Sequence, residues 1–331
     1  MTPTSGFSED SLILASRGSR LALTQAEIVA GMVRAQYPDL RIDIQTVRTS
    51  GDADSRPFAQ TGGKGLFTTE VEREVLEGRA HVAVHSAKDL TAELAAGCDI
   101  VCVPPRAERA DVVVGGRGGS GEERLGGLEP GATVGTSSMR RRALVMEARP
   151  DLDVVEFRGN LDTRLAKVRD GAVDVAVLAA AGIERLNGEG DAKPPPDLAP
   201  LDPSWWVPAP AQGALAIEAR IDRDDVVQLF EALTDPRALA EVTCERAFSA
   251  RLEGGCSVPL GCSAVVSGTH LTASGYLATP DAAIALRDRI SGSVSEAASL
   301  GVELAEALLA SGGDEVLDEI RAAELTEPSP P

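Results

Sequence analysis

Short apolar stretches alternate with amphipathic ones along the first third of the chain. Leu12-Ile13-Leu14-Ala15 reads as an apolar strand, and apolar spacing predicts a helix from Leu21 to Tyr37. Ile42 to Val47 alternates with the period of a strand. Thr68 to Glu77 has helical spacing and a stop signal at Gly78, and His81 to Val84 alternates again. This order of strands and helices predicts a mostly parallel sheet. Gly115 to Gly127 is a loop by composition. The pattern then restarts with a strand over 132–134 and a helix from Ser137, with Met139, Ala143 and Met146 on one face. A strand from Leu152 to Phe157 and a helix from Leu161 to Arg169 follow. Val173 to Leu178 is almost wholly apolar, as in strands buried on both faces. Asn187 to Pro203, with Pro194-Pro195-Pro196, is a loop or a domain crossing. A third unit begins near Asp224. It has helices around Val226–Leu233 and Leu239–Ala250, strands around Ser263–Val266 and Leu271–Leu277, and a helix from Ser295 to Ala310.

A length of 331 residues leaves room for two or three domains. No run of eighteen apolar residues predicts a transmembrane helix. The polar N-terminus lacks the pattern of a signal peptide, so the expected compartment is the cytoplasm. Cys98, Cys102, Cys244, Cys256 and Cys262 are an odd number without zinc-site spacing, so neither a disulfide framework nor a metal is expected. His81 and His85 have the spacing of a helical metal pair but flank a predicted strand. The net charge of −19 argues against a nucleic-acid partner. It leaves open a small anion in a locally basic pocket. The lysines are Lys64, Lys88, Lys167 and Lys193, and every other basic side chain is arginine.

Several predicted strands end in residues suited to an anion. Open α/β sheets bind ligands at the carboxyl ends of their strands. Arg17 and Ser19 follow the first strand. His85-Ser86-Ala87-Lys88-Asp89 ends another, where Asp89 is either a proton-transfer carboxylate or one half of a surface pair with Lys88. Gly135-Thr136-Ser137-Ser138-Met139-Arg140-Arg141-Arg142 opens a helix with hydroxyls, free N–H groups and guanidiniums, either an anion site or a solvated charge run. Arg158-Gly159-Asn160-Leu161-Asp162-Thr163-Arg164 repeats that logic, and Arg185 follows Val177-Leu178. Such recurrence of a planar, bidentate cation favours a substrate with many carboxylates. Gly62-Gly63-Lys64-Gly65 lacks the Ser or Thr of a nucleotide phosphate loop. It is a plain turn or a loop presenting one ammonium. Gly254-Gly255-Cys256 sets a thiol on a bend, either packed or available for attachment.

Taken in order, these runs resemble the porphobilinogen deaminase (hydroxymethylbilane synthase) family. The matching segments include Ala15-Ser16-Arg17, Gly62-Gly63-Lys64-Gly65-Leu66-Phe67, His85-Ser86-Ala87-Lys88-Asp89, Gly135-Thr136-Ser137-Ser138-Met139-Arg140-Arg141, Arg158-Gly159-Asn160, Gln212-Gly213-Ala214 and Leu252-Glu253-Gly254-Gly255-Cys256-Ser257-Val258-Pro259. The resemblance implies an α/β fold with two type II periplasmic-binding-protein-like domains around a central cleft, and a smaller α+β C-terminal domain. The expected domains are 11–104 with 205–222, then 105–204, then 223–325, with flexible tails at 1–10 and 326–331. The implied reaction joins four porphobilinogen molecules head to tail, losing ammonia each time, and releases hydroxymethylbilane by hydrolysis. A covalent dipyrromethane primes the chain. Cys256 matches its attachment residue and Asp89 the catalytic carboxylate. Arg17, Arg140, Arg141, Arg158, Arg164 and Arg185, with Lys88, match residues that hold acetate and propionate groups. Ser19, Thr136, Ser137 and Ser138 match hydroxyl donors, and Lys64, Ser86, Gly159, Asn160 and Gln212 fall within the matching runs. A monomer is expected, with porphobilinogen and pyrrole-chain intermediates as its partners and no membrane.

The sequence departs from the family pattern at Gln60, where many relatives carry lysine, at Ala87 and Thr91, and at Pro210-Ala211 in place of Val-Gly. The segment Thr49 to Thr61 has few large apolar residues and is expected to act as a lid. The competing reading is a non-catalytic cytosolic binding protein for a small polycarboxylate. Cys256 and Asp89 count against it.

Overall fold

The computed structural model describes residues 7, 9–49, 68–187, 197–254 and 257–326. Lys64, Cys256 and all but the first residue of the expected lid lie outside them.

β1 (Ser11–Arg17) and β2 (Arg41–Val47) pair in parallel along their whole length. They are joined by α1 (Arg20–Gln36), which Ser19 caps by accepting from Ala22 N–H. α2 (Thr69–Leu76) leads to β3 (Val82–Ser86), the 3-10 turn Ala87–Asp89 and β4 (Cys98–Cys102). The chain then crosses to a second sheet. There β5 (Asp111–Gly115), α3 (Gly121–Gly126), β6 (Thr133–Gly135), α4 (Met139–Ala148) and β7 (Asp153–Val155) are followed by α5 (Leu161–Arg169), β8 (Val175–Ala179), α6 (Ala180–Asn187) and β9 (Leu198–Pro200). It returns to the first sheet as β10 (Leu215–Arg220). α7 (Asp224–Glu231), α8 (Pro236–Arg251), the strands β11 (Leu260–Ser267), β12 (His270–Ala278) and β13 (Ala285–Ser293), then α9 (Ala297–Leu308) and α10 (Asp314–Thr326) complete the order.

The first sheet has the order β2-β1-β3-β10-β4 and the second β7-β6-β8-β5-β9. Both follow one plan. Three parallel strands adjoin one antiparallel strand that enters from the other unit, β10 in the first sheet and β5 in the second. Two segments, 103–110 and 201–214, therefore run side by side between the sheets. With the antiparallel sheet β11-β12-β13, this is the expected pair of α/β units with a smaller α+β unit.

The third unit leans on both others. Phe248, Leu252, Leu271, Leu304 and Leu308 form its own core. Ala238 and Val242 of α8 pack with Ala87 and Ala216 of the first unit, and Tyr276 and Ala278 of β12 pack with Val113, Leu144 and Trp206 of the second.

Some elements differ from expectation. α7, expected to open the third unit, buries Val226, Leu229 and Phe230 in the core of the first sheet beside Leu12 and Ile217. Its short link from β10 leaves its apolar face nowhere else to go. The expected loop 115–127 contains α3, closed by a capping box between Ser120 and Glu123. β9 sits in the proline-rich crossing, and β13 and α10 add to the third unit.

Candidate active site

Each predicted site residue among the described ones follows the carboxyl end of a strand or lies on a crossing segment. Arg17 ends β1, Ser86 ends β3, and Lys88 and Asp89 occupy the 3-10 turn that follows. Thr136, Ser137 and Ser138 follow β6, Arg158, Gly159 and Asn160 follow β7, and Arg185 lies on α6 after β8. Gln212 comes from the returning crossing. The two sets face each other. Leu21 of α1 lies 3.5 Å from where a side chain on Gly182 of α6 would begin, and Arg20 of α1 bonds Asp162 of α5 at 3.2 Å.

On the first unit, Arg17, Ser19, Gln25, Thr68, His85, Ser86 and Asp89 line one polar pocket. Gln25 Nε2 donates to Ser86 Oγ at 2.9 Å. Sequence reading missed Gln25, because one glutamine inside a helical run carries no local signal. Among the described residues, no hydrogen bond occupies the Asp89 carboxylate. Lys88 reaches the cleft solvent, yet protein surrounds its ammonium. Desolvation first, and Arg141 second, lower its pKa to about 8. Its Nζ donates to Gln212 Oε1 at 3.4 Å.

On the second unit the hydroxyls are largely committed to the backbone. Ser137 Oγ donates to Phe157 O at 2.8 Å and accepts from Phe157 N at 3.1 Å, fixing the turn against β7. Ser138 caps α4 by accepting from Arg141 N–H. Thr136 Oγ1 accepts from Ser138 N–H at 3.2 Å. Asn160 caps α5, accepting from Thr163 N–H at 2.9 Å. Gly159 before it has φ +116, which only glycine adopts easily, and a Cβ there would meet Thr163 Cγ2 at 2.7 Å. Arg158 pairs with Glu156 at 2.6 Å.

Arg140 and Arg141 do not stand open to the cleft as the sequence suggested. Both are buried and converge on Asp111 of β5, which is fully buried. Arg140 Nη1 lies 2.8 Å from Asp111 Oδ2, and Arg141 Nη2 lies 2.7 Å from Oδ1. Trp206 Nε1 and Gln212 Nε2 also donate to this carboxylate, at 2.9 and 2.8 Å. Burial works against the charge of Asp111, but Arg140 and Arg141 overcome it and hold the carboxyl well below its usual range. Asp111 was invisible as a site residue, because its partners come from other elements.

Arg164 and Arg185 keep more freedom. Burial lowers both to about 10, and Arg141 and Arg158 push Arg164 further in the same direction. Arg164 Nε is buried without a hydrogen-bond partner among the described residues. Arg185 Nη2 donates to Gly213 O at 2.7 Å. At Gly213, φ is +86 and a Cβ would strike Ala107 O at 2.6 Å, so the two crossings touch through glycine. Ala211 takes φ +59 where the family's glycine would sit without strain. His81 and His85 have separate partners, Glu9 at 2.8 Å and Glu218 at 3.2 Å. Among the described residues, no cluster of His, Cys, Asp and Glu could hold a metal ion.

Comparison with known proteins agrees over nearly the whole length. The model of the porphobilinogen deaminase dipyrromethane cofactor-binding domain matches residues 12–228, and that of the porphobilinogen deaminase C-terminal domain matches 239–310. A porphobilinogen deaminase of Trichlorobacter lovleyi is 39% identical over 315 residues, covering 95% of this chain and 98% of that one. One of Syntrophus aciditrophicus is 41% identical over 308 residues, covering 93% and 98%. Among solved structures, substrate-binding domain 2 of Lactococcus lactis GlnP aligns with 12% identity and a TM-score of 0.41, over 73% of this chain and 96% of that one.

Proposed function

The chain belongs to the porphobilinogen deaminase family, and we propose that its cleft works through Asp89 as proton carrier and Cys256 as attachment point. The family's activity is an enzymatic step of tetrapyrrole biosynthesis. Four porphobilinogen units are joined with loss of ammonia, and hydroxymethylbilane is released. The relatives give no support to a purely binding role.

One observation carries the reading. In a chain of net charge −19, the cleft collects cations that burial and one another disfavour, above all Lys88 and Arg164. Each carboxylate that enters relieves this, so a substrate with two per ring is bound through charge-assisted hydrogen bonds. Those residues fit the dipyrromethane cofactor on the same ground, since it bears the same acetate and propionate groups. When bound, it supplies the free pyrrole α-carbon on which the chain grows.

The protein's own part follows from placement. Arg17, Arg158, Arg164, Arg185 and Lys88 hold carboxylates and set ring orientation. The Asp89 carboxylate gives a proton to the departing amine, stabilises the ring cation left behind, and takes the proton that the attacked ring carbon must lose. Arg140 and Arg141 act from behind, by fixing the α4 start and Gln212. The expected domain limits (11–104 with 205–222, 105–204 and 223–325) serve this reading, with α7 packed on the first unit. No helix among the described residues is long and apolar enough to cross a membrane. We place the enzyme in the cytoplasm as a monomer, since one chain furnishes both faces of the cleft.

The test is Asp89→Asn, with intact mass and peptide mapping of the purified protein. The expected result is an adduct on Cys256 and turnover lower by roughly 10²-fold or more. Normal turnover in the folded variant would remove Asp89 from the chemistry, and an adduct on another cysteine would remove Cys256.

A further inference from the structure

Behind the wall that carries Asp89 lies a buried acidic cluster with a histidine at its edge. His85 lines the same pocket as Arg17, Ser86 and Asp89. Its Nε2 is buried, 3.2 Å from Oε2 of Glu218 on β10. His85 is 5% exposed and Glu218 0%. Glu72, brought in by α2, adds a second carboxylate. Burial raises its pKa, and Glu218 raises it further. Among the described residues, His85 Nε2, both oxygens of Glu218 and Glu72 Oε1 are buried without a hydrogen-bond partner.

The cation facing the cluster is Arg246 of α8, which interacts with Glu218 while its Nη2 donates to Thr91 O and Ala92 O at 2.9 and 3.2 Å. The Cys98 thiol of β4 is pushed up to about 11 by burial and then by Glu218 and Glu72, so it stays protonated. On the pocket side stand Arg17 and Asp89. An imidazole edge 3.2 Å from one buried carboxylate, with further carboxylate oxygens left without hydrogen-bond partners among the described residues, is a place where a proton can be held next to the pocket.

We propose that Glu72, His85 and Glu218 form a proton store for Asp89, with His85 as its contact to the pocket. This rests on the proposed role of Asp89. The store lends one proton through Asp89 to the substrate amine. The C–N bond then breaks, its electron pair leaves with ammonia, and the ring is left cationic. After the α-carbon of the preceding pyrrole attacks, its C–H bond breaks, and that electron pair restores the aromatic ring. The proton passes to Asp89 and back through pocket water to the imidazole. One proton is lent and one recovered per cycle, so no other acid or base is required. The polar lining of the pocket suits the water this path needs.

The test uses holoenzyme, confirmed by intact mass, and the pH dependence of kcat in wild type, His85→Gln, Glu218→Gln and Asp89→Asn. A store must be protonated to lend, so kcat should fall on the alkaline side. Glu218→Gln removes a negative charge that favours the protonated cluster. Its alkaline limb should therefore move to lower pH with KM little changed. His85→Gln should lower kcat by about 10²-fold, the low end for a lost acid–base group, and abolish that limb. A purely structural role would lower stability without moving the limb. If His85→Gln does not fold, Glu218→Gln decides alone. Wild-type limbs in the folded variants, with Asp89→Asn inactive, would overturn the store and leave Asp89 in place. An active Asp89→Asn would overturn the reading beneath it.

Discussion

Lys88 turns the electrostatics of the cleft into a measurable pH dependence. Desolvation and the Arg141 guanidinium lower its pKa to about 8. As pH rises through that value, the cleft loses a cation and its hold on substrate carboxylates weakens. KM for porphobilinogen should rise over the same interval. Lys88→Arg keeps its charge to much higher pH and should flatten the rise. Lys88→Met should raise KM at neutral pH about tenfold, the low end for a charged hydrogen bond. Superimposable KM–pH curves for all three would show that Lys88 does not touch the carboxylates. The position of Lys88 was legible, since a strand followed by Lys-Asp points to a crevice. Its lowered pKa was not, because Arg141 lies on the opposite unit and no local pattern brings the two together.

At the scale of elements, α4 and β5 show where sequence reading stops. The arginine run at the start of α4 was plain, and its helix N-terminus suggested an exposed anion site. Its anion comes instead from Asp111, 30 residues before Arg141, on a strand of the same sheet. Helical spacing turns Arg140 and Arg141 inward with Ala143, Leu144 and Val145. The capping box of α3 was legible too, but the surrounding glycines suggested a loop. β13 was hidden by Arg287, Asp288 and Arg289 on an exposed strand. Asp111→Asn should destabilise the protein by about 3–5 kcal/mol, as expected when one partner of a buried ion pair is removed. Urea unfolding checks this. The sign with pH is fixed. A carboxyl held far below its ordinary value of about 4 stabilises fully above that value and progressively less below it. The variant should therefore lose part of the acid-side slope seen in wild type. Equal stability and equal slopes would mean that the Asp111 charge contributes nothing net. On this account, Arg140→Leu or Arg141→Leu would yield protein poor in cofactor because the α4 start loosens.

For the molecule as a whole, the crossings at 103–110 and 201–214 are the only covalent links between the two sheets among the described residues, and the third unit grips both. Arg106 Nη1 and Nη2 donate to Glu245 of α8 at 2.9 and 2.8 Å, and Arg106 Nε donates to Gln212 O at 2.9 Å. Glu245 also accepts from Ala211 N–H and, at 2.7 Å, from Ala264 N–H of β11. Glu241 takes Arg109 at 2.7 Å. All three units thus meet at one buried carboxylate, as would a hinge whose stiffness is set by the third unit. Glu245→Gln keeps the shape but removes the closer of the two carboxylate charges beside Arg106, leaving Glu241 at 3.4 Å. Hydrogen exchange should then quicken at residues 103–110 and 209–214 well before it changes in the sheets. The cleft faces would be held less firmly, and a misplacement of about 1 Å is enough to cost roughly 10²-fold in rate. Turnover should therefore fall further than primer occupancy, which intact mass reports. If exchange at both crossings stays at the wild-type level while turnover is normal, the third unit does not brace the hinge.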